Sequence, residues 1–326
     1  MTDRTNRRDP DVPGSEPGLP RRGVLAGLSA AVLLPLTRSS LRAQTAPPPH
    51  RLMIGTAEVT VLSDGAFSLP LGIMLPDRDP QAIEAVFRKQ GLAFTGLHSE
   101  VNVALVRIGA DLILIDTGGG ADFVAGLGKL PDHLEAAGIK PESITKVIFT
   151  HAHGDHLWGV IDPLDGGTLF PKAEHMMAAV EFDFWMASDV ANQVRDNFRV
   201  MAAGTNRRLK TLAARMRKIR PGEEIVPGVQ IVGSEGHTPG HVSVLVKSGT
   251  EQLLIGGDAL TQHVISFAEP DWRWGPDMDA AKAAATRRHL LDRLATDRVR
   301  LLGYHLPWPG IGHVERNGTA YRFVAA

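Results

Sequence analysis

Three histidines and one aspartate lie within six consecutive residues, His151-Ala152-His153-Gly154-Asp155-His156. The preceding residues, 146–150, are predicted to form a short buried strand. Because alternate side chains on an extended backbone point the same way, His151 and His153 can face one ion. Gly154 permits a sharp turn, so that Asp155 and His156 can serve a second ion. The hexapeptide therefore predicts a metal site. Two ions about 3.5–4 Å apart could clamp a bridging hydroxide for a hydrolytic displacement.

Three more potential ligands follow predicted strands elsewhere in the chain. His237 lies in the motif Gly-His-Thr-Pro-Gly-His after 229–233, Asp258 follows two glycines after 252–255, and His305 follows 299–302. A lone loop histidine or aspartate is usually a surface or turn residue, so each is a weak signal by itself. Beside the hexapeptide, the three supply the additional ligands that two ions require.

The composition limits what these residues can bind. The 326-residue chain contains no cysteine, which excludes a disulfide framework, a thiolate metal site and a cysteine nucleophile. Any metal must be held by imidazole and carboxylate groups, for which zinc is the default and iron, manganese or cobalt are alternatives. The formal net charge is -1. With no basic excess, we expect no nucleic-acid partner.

The elements that must position these residues follow from the hydrophobic pattern. We expect strands at 57–62, 101–108, 111–116, 146–150, 229–233, 242–247, 252–256, 299–303 and 320–324, and a turn at Ser63-Asp64-Gly65. We expect helices at 80–89, 122–137 and 279–296, and over most of 174–218. Strand-rich blocks with helices before and after them indicate two sheets packed together and flanked by helices.

The N-terminal segment is predicted to be an export signal. Arg21 and Arg22 directly precede an apolar run at 24–36, a pattern typical of twin-arginine signal peptides. The alternative is a disordered basic tail ahead of a core helix. We expect a signal peptide at 1–43, with an uncertain cleavage site near Ala43, a proline-rich linker at 44–50 and a hydrolase domain at 51–326. The apolar run is short for a membrane span. The mature protein should thus be periplasmic or secreted, without stable membrane insertion.

Over residues 52–324 the sequence resembles the metallo-β-lactamase-fold hydrolase superfamily. Asp116, the hexapeptide, His237, Asp258 and His305 match its five signature regions in order. The resemblance implies an α/β fold, an αββα sandwich with the metal site at one edge of the two sheets. It implies that Asp116 orients the histidine-rich loop from outside the ligand set and that Asp258 bridges two metals. One metal would be held by His151, His153 and His237, and the other by Asp155, His156 and His305.

Four further segments resemble the methyl parathion hydrolase-like branch of that superfamily. They are residues 62–65, 115–118, 183–185 and 305–313. The branch is exported and hydrolyses organophosphate triesters, aryl esters or lactones, and its aromatic substrate pocket maps onto Phe123, Trp185 and Phe198. All three could instead be core aromatics. The sequence leaves open whether Trp272, Trp274, His263 and His313 contribute to the site.

The main hypothesis is a dinuclear metal-dependent hydrolase that uses a bridging hydroxide on an aryl ester, lactone or phosphotriester, with Asp155 or Asp258 carrying a proton. One alternative is an acyl-homoserine lactone lactonase. A second is a glyoxalase II-like thioesterase, which shares the hexapeptide and the motif at 236–241. A non-enzyme alternative is an exported zinc-binding protein. Each reading requires a small molecule or a metal as partner, and the amphipathic stretch at 181–218 could be a lid or a homodimer face.

Overall fold

A computed structural model describes residues 47–326. The predicted signal peptide at 1–43 lies outside the described residues, so it stays a prediction. Within the described part, no helix is long and apolar enough to cross a membrane.

The first of two sheets has seven strands, in the order in which they follow along the chain. Strands β1 to β4 pair antiparallel, whereas β4, β5, β6 and β7 pair parallel to one another. The strands are β1 (His50–Ile54), β2 (Ala57–Ser68), β3 (His98–Ile108), β4 (Asp111–Ile115), β5 (Lys146–Phe149), β6 (Glu174–Ala178) and β7 (Met216–Ile219).

The second sheet also has seven strands, in the order β14-β13-β12-β11-β10-β9-β8. Only the β11–β12 pair is parallel among the pairings described, because the longest helix crosses over between these two strands. The strands are β8 (Glu224–Val226), β9 (Val229–Gly233), β10 (Val242–Ser248), β11 (Glu251–Ile255), β12 (Arg300–Leu302), β13 (Ile311–Asn317) and β14 (Ala320–Ala325).

The described residues include ten α-helices. They are α1 (Leu71–Met74), α2 (Pro80–Lys89), α3 (Gly120–Phe123), α4 (Leu130–Ala136), α5 (Gly154–Leu157), α6 (Ala179–Met186), α7 (Val190–Gln193), α8 (Arg199–Leu212), α9 (Ile265–Ala268) and α10 (Ala280–Asp297). Asp79 and Asp279 cap α2 and α10 by accepting hydrogen bonds from Gln81 N and Lys282 N, which satisfies first-turn amides.

Three apolar layers hold the sandwich together. A layer of β-branched residues, including Val61, Ile148, Val244 and Ile255, lies between the two sheets. Helices α4, α6 and α8 pack on the outer face of the first sheet, and α10 packs on the outer face of the second. The predicted αββα sandwich is therefore confirmed.

Two local expectations were wrong, because a tertiary contact or a glycine outweighed the local pattern, and a third was confirmed only in part. Residues 63–65 do not turn: β2 continues through them with a bulge, and the buried Asp64 carboxylate accepts three backbone N–H groups from other segments. The predicted helix at 122–137 is two short helices, because Gly126 and Gly128 adopt positive φ angles between them. The expectation that residues 174–218 are mostly helical is confirmed for the middle of this range, where α6, α7 and α8 lie, but its two ends are the strands β6 and β7. β6 is buried on both faces, so it shows no alternation.

Candidate metal centre

The ends of four strands bring together all seven predicted ligands. The hexapeptide follows β5, and His237, Asp258 and His305 follow β9, β11 and β12. All seven side chains are buried. Four separate strand ends can hold side chains rigidly, since each is fixed by its sheet.

The first cluster consists of His151, His153, His237 and Asp258, whose ligand atoms all lie within 4.8 Å of one another. His237 Nε2 is 3.0 Å from His153 Nδ1 and 3.2 Å from Asp258 Oδ2. His151 Nε2 is 4.0 Å from the same carboxylate oxygen. These atoms surround one point, as ligands of a single cation do.

The second cluster consists of Asp155, His156 and His305. His305 Nε2 is 3.1 Å from Asp155 Oδ2 and 3.2 Å from Asp258 Oδ1. His156 Nε2 is 3.1 Å from Asp258 Oδ1. The two carboxylate oxygens of Asp258 therefore face different clusters, which is the arrangement that a bridging ligand requires.

Unpaired polar atoms test whether these residues fit metal ions. His151 Nε2, His156 Nε2 and Asp258 Oδ1 are buried and have no hydrogen-bond partner of acceptable geometry. A buried polar atom without a partner costs free energy, and their nearest polar neighbours are atoms that also face the cluster. Imidazole nitrogens and carboxylate oxygens are suitable ligands for divalent cations such as zinc. The donor set thus fits two divalent ions.

Burial and neighbouring carboxylates shift the pKa values of the predicted ligands in both directions. Burial lowers the pKa of His151 and of His153 well below 6.5, so both imidazoles are neutral and able to bind a metal. Burial alone would raise the pKa of Asp258, but three surrounding histidines hold it well below 3.8. Burial also opposes the charged form of His156, yet Asp258 and Asp116 raise its pKa to about 10. The same physical causes act on His237, where Asp258 and Asp277 oppose burial and raise the pKa to about 9, so ligation by either histidine would require loss of its proton.

Asp116 lies directly behind the second cluster. Its Oδ2 is 2.8 Å from His156 Nδ1, and its carboxylate accepts hydrogen bonds from the backbone and hydroxyl of Thr150. Asp116 adopts a φ of 63°, a strained value for a residue with a side chain. In this conformation, directly after β4, the carboxylate contacts the histidine-rich loop, where the resemblance expects an orienting residue.

A cleft with largely apolar walls opens above the two clusters. Its floor includes His153, Asp155, Asp258 and His305. Phe123 and Phe198, two of the three predicted pocket aromatics, line it. The other aromatic and apolar wall residues are Phe67, Leu69, Ile73, Met74, Met201, Trp274 and Pro276.

Trp185, the third predicted pocket residue, does not line this cleft. Its side chain is fully buried, donates a 2.6 Å hydrogen bond from Nε1 to Glu181 Oε1 and packs its ring 5.7 Å from that of His153. It borders a smaller adjoining cavity behind Phe198. A buried indole N–H requires a hydrogen-bond partner, and Glu181 provides it. With its ring fixed in this way, Trp185 supports the loop that carries His153.

Of the four residues whose contribution to the site the sequence left open, one lines the cleft and three lie elsewhere. Trp274 lines the cleft, whereas Trp272 lies under the guanidinium of Arg78, 4.6 Å from its ring centroid. His263 contacts Phe87 and Gln262, away from both clusters. His313 is an exposed residue of β13.

A family model of the metallo-β-lactamase superfamily matches residues 98–305. The chain belongs to this superfamily. It is a metal-dependent hydrolase of the metallo-β-lactamase fold.

Two solved structures match nearly the whole described chain. One is AidC, a dizinc quorum-quenching lactonase in complex with the product N-hexanoyl-L-homoserine. It is 26% identical, with a TM-score of 0.80, over 86% of this chain and 97% of AidC. The other is the hydrolase AbOPH in the β-lactamase superfamily. It is 26% identical, with a TM-score of 0.79, over 87% of this chain and 99% of AbOPH.

Shorter stretches of the chain are similar to two kinds of curated enzyme. An N-acyl homoserine lactonase from Bacillus cereus is 27% identical over 122 residues, 37% of this chain and 40% of that protein. An atrochrysone carboxyl ACP thioesterase from Passalora fulva is 40% identical over 74 residues, 23% of this chain and 20% of that protein. The chain thus spans less than half the length of the curated relatives it matches.

Sequence reasoning missed several supporting residues of this metallo-β-lactamase-fold site. Asp277 contacts His237 and Glu181 joins two ligand loops, while the His241 ring accepts a hydrogen bond from Asp258 N. Tyr304 stacks on His156 with ring centroids 3.9 Å apart. His241 and Tyr304 were detectable, since His241 ends the motif that contains His237 and Tyr304 directly precedes His305. Asp277 lies in a loop without periodicity and Glu181 in a helix predicted only by its amphipathic pattern, so neither gave a signal.

Proposed function

We propose that this protein is a dinuclear zinc lactonase that hydrolyses N-acyl homoserine lactones. The observation that carries the proposal is the likeness to AidC, which extends over 97% of that dizinc lactonase. The shorter match to the Bacillus cereus lactonase supports the same substrate class. Zinc is the proposed metal because the two clusters offer only imidazole and carboxylate ligands.

The cleft suits a substrate that is polar at one end and apolar at the other. The polar floor holds His153, Asp155 and Asp258, where the lactone carbonyl would lie. The walls, formed by residues such as Phe67 and Met201, would bury the acyl chain. Burial of an apolar chain with a few polar groups at one end is typical of small-molecule sites.

Two divalent ions, when bound, would polarise the carbonyl and lower the pKa of water toward neutrality. Asp155 is the candidate proton carrier among the floor residues. One of its carboxylate oxygens, Oδ2, lies 3.1 Å from His305 Nε2, and the side chain lines the cleft. It can accept the proton of the attacking water and return it to the ring oxygen when the lactone opens. Asp258 is less free to do so, because each of its oxygens faces a cluster.

Aryl ester and phosphotriester hydrolysis is the second candidate, as in the methyl parathion hydrolase-like branch. The observation that favours it is the aromatic part of the cleft wall. Phe67 and Phe123 meet edge to face with ring centroids 6.4 Å apart, and Phe198 lines the same cleft. Such rings could pack against an aromatic leaving group.

A hydrolysis panel on the purified protein tests the proposal. We expect two zinc ions per chain and the highest kcat/KM on N-acyl homoserine lactones, compared with aryl esters, methyl parathion and an acyl thioester. A clear preference for methyl parathion or aryl esters would favour the second candidate. Two bound zinc ions without turnover of any substrate would favour a zinc-binding protein. Asp258→Ala should lose metal and activity, whereas the exposed Asp271→Ala should retain both.

We further propose that residues 1–43 direct export of the folded protein through the twin-arginine route. The proposal rests on the paired arginines before the apolar run. Replacement of Arg21 and Arg22 by lysines should move the protein from the periplasmic to the cytoplasmic fraction. An unchanged distribution would contradict this assignment.

A further inference from the structure

One loop, residues 269–279, contributes to both the cleft wall and the support of the first metal cluster. Trp274 and Pro276 line the cleft. Asp277, one residue further along, is fully buried and points away from it, with Oδ1 2.9 Å from His237 Nδ1. The wall of the cleft and a metal ligand therefore depend on the same short segment.

The second oxygen of Asp277 ties the loop to itself and to α10. Asp277 Oδ2 accepts hydrogen bonds from Arg287 at 3.0 Å and from Trp274 N at 3.3 Å. Arg287 is 3% exposed and also donates to the carbonyl oxygens of Pro270 and Trp272. The carboxylate is thus held between a histidine ligand and a buried guanidinium that fixes the rest of the loop.

Backbone hydrogen bonds join the same two segments. Met278 N donates to His237 O at 3.0 Å, and Asp279 N donates to Gly236 O at 2.9 Å. On the outer side, the Arg195 guanidinium donates to the carbonyl oxygens of Gly275 and Asp277. A shift of the loop would therefore break hydrogen bonds to the backbone of Gly236 and His237.

A metal-ligating histidine depends on the partner of its other ring nitrogen. When Nδ1–H donates to a carboxylate, the ring orientation and the tautomer are fixed, and loss of such a partner typically costs 10- to 100-fold in metal affinity. With Asp277 on Nδ1, the Nε2 of His237 is free to face His153 and Asp258.

We propose that Asp277 is a positioning residue that couples the first metal cluster to the cleft wall. It keeps His237 ready to ligate and, through Trp274 N and Arg287, keeps the loop in place. Because coupling between two sites is reciprocal, a metal bound by His237 must in turn order residues 269–279. The inference requires a metal at the first cluster but is independent of whether the substrate is a lactone.

Asp277→Asn tests the proposal because every partner of this carboxylate is a donor. If the amide oxygen of the introduced asparagine accepts from His237, its NH₂ group faces the Arg287 guanidinium, which is also a donor. In the opposite orientation the hydrogen bond with His237 is lost. We expect zinc affinity at the first cluster to fall roughly 10- to 100-fold in a chelator competition assay. Cobalt substitution should show a changed absorption spectrum. Asp279→Asn is the matched control, since Asp279 caps α10 from the same loop without touching the His237 ring.

Hydrogen exchange separates coupling from a general loss of stability. In the wild-type protein, zinc should slow amide exchange across 269–279, and zinc should also raise Tm. We expect Asp277→Asn to reduce both differences, whereas a merely structural role would lower Tm equally with and without zinc. Equal zinc affinity and equal zinc-induced protection in Asp277→Asn and wild type would overturn the proposal.

Arg195→Gln provides a second route if Asp277→Asn does not fold. Arg195 is exposed, and its loss releases the loop from the outside while the Asp277 carboxylate remains. We expect a smaller decrease in zinc-induced protection of 269–279, and no decrease would count against the coupling. Absence of zinc binding by the wild type would instead reject the metal assignment. A protein that binds zinc but does not hydrolyse lactones would reject only the proposed substrate.

Discussion

Substitution of Glu181 by glutamine should destabilise the protein although the side chain keeps its shape. Glu181 is fully buried on α6. Its Oε1 accepts hydrogen bonds from Ala152 N at 3.0 Å and Trp185 Nε1 at 2.6 Å, and its Oε2 accepts one from Gly240 N at 2.9 Å. Ala152 lies between two predicted ligands, and Gly240 follows a third. The carboxylate therefore joins two ligand-bearing loops.

The magnitude follows from the fact that all three partners donate. The glutamine NH₂ must face at least one of them, and the less costly orientation directs it toward Gly240, which leaves one buried N–H without an acceptor. Such a group costs about 1–3 kcal/mol. Burial raises the pKa of Glu181, because the charged carboxylate loses hydration in the folded protein. Glutamine is uncharged and avoids this cost, which offsets part of the destabilisation. We therefore expect about 1–2 kcal/mol of destabilisation, the lower part of that range.

Urea unfolding measures this free energy directly, and Glu174→Gln is the matched control. Glu174 lies on β6 with 45% of its side chain exposed, where its contact with Arg217 is 3.7 Å. Such exposed pairs contribute about 0–1 kcal/mol. If the free energy of unfolding of Glu181→Gln lies as close to wild type as that of Glu174→Gln, the reasoning about buried donors is refuted.

Three further results are expected. Burial lowers the pKa of His175 from 6.5 to about 4. The unfolded chain therefore binds a proton at a higher pH than the folded protein does, and the free energy of unfolding falls as pH drops from 6.5 through 4. His175→Gln should reduce this loss, by on the order of 3 kcal/mol at most, in unfolding measured against pH. Unchanged pH dependence would contradict the assignment. Gly240→Ala should lower Tm, because its Cβ would lie 2.3 Å from Glu181 N, whereas Gly72→Ala meets nothing within 4 Å and should not. His305→Ala should lose one zinc ion and Asp258→Ala more than one, by metal analysis; equal stoichiometry in both would argue against a bridging carboxylate.

The sequence predicted the centre of the fold better than its edges. Strands such as β9 (Val229–Gly233) and the helix α10 were predicted to within one residue, because period-2 and period-3.6 patterns and an aspartate cap marked them. β6 was taken for helix, since a strand buried on both faces has no polar alternation. The edge strands β1 and β8 and the long β13 gave no signal that separated them from loops.

The ligand set was also accessible to sequence reasoning, whereas its support was not. Histidines and aspartates at strand ends can be read from local spacing, and the structure brings all seven together. Asp277 forms a hydrogen bond with the predicted ligand His237, 40 residues away, and Glu181 accepts one from the backbone of Ala152, 29 residues away in the histidine-rich loop. No local spacing encodes such a contact. Trp185 shows the same limit, because burial beneath His153 depends on how α6 packs.

The two carboxylate oxygens of Asp258 face different clusters, and each cluster contains residues from both sheets. Retention of both metal ions therefore depends on complete folding. The hexapeptide alone offers a weak local chelate from one strand end. His237, Asp258 and His305 arrive only after the second sheet has formed and packed against the first. Contacts between residues so distant in the chain form late, because their loop-closure entropy must be overcome first. A molecule that holds both ions against a chelator has therefore completed its fold, and stoichiometric metal content can serve as a measure of the correctly assembled fraction.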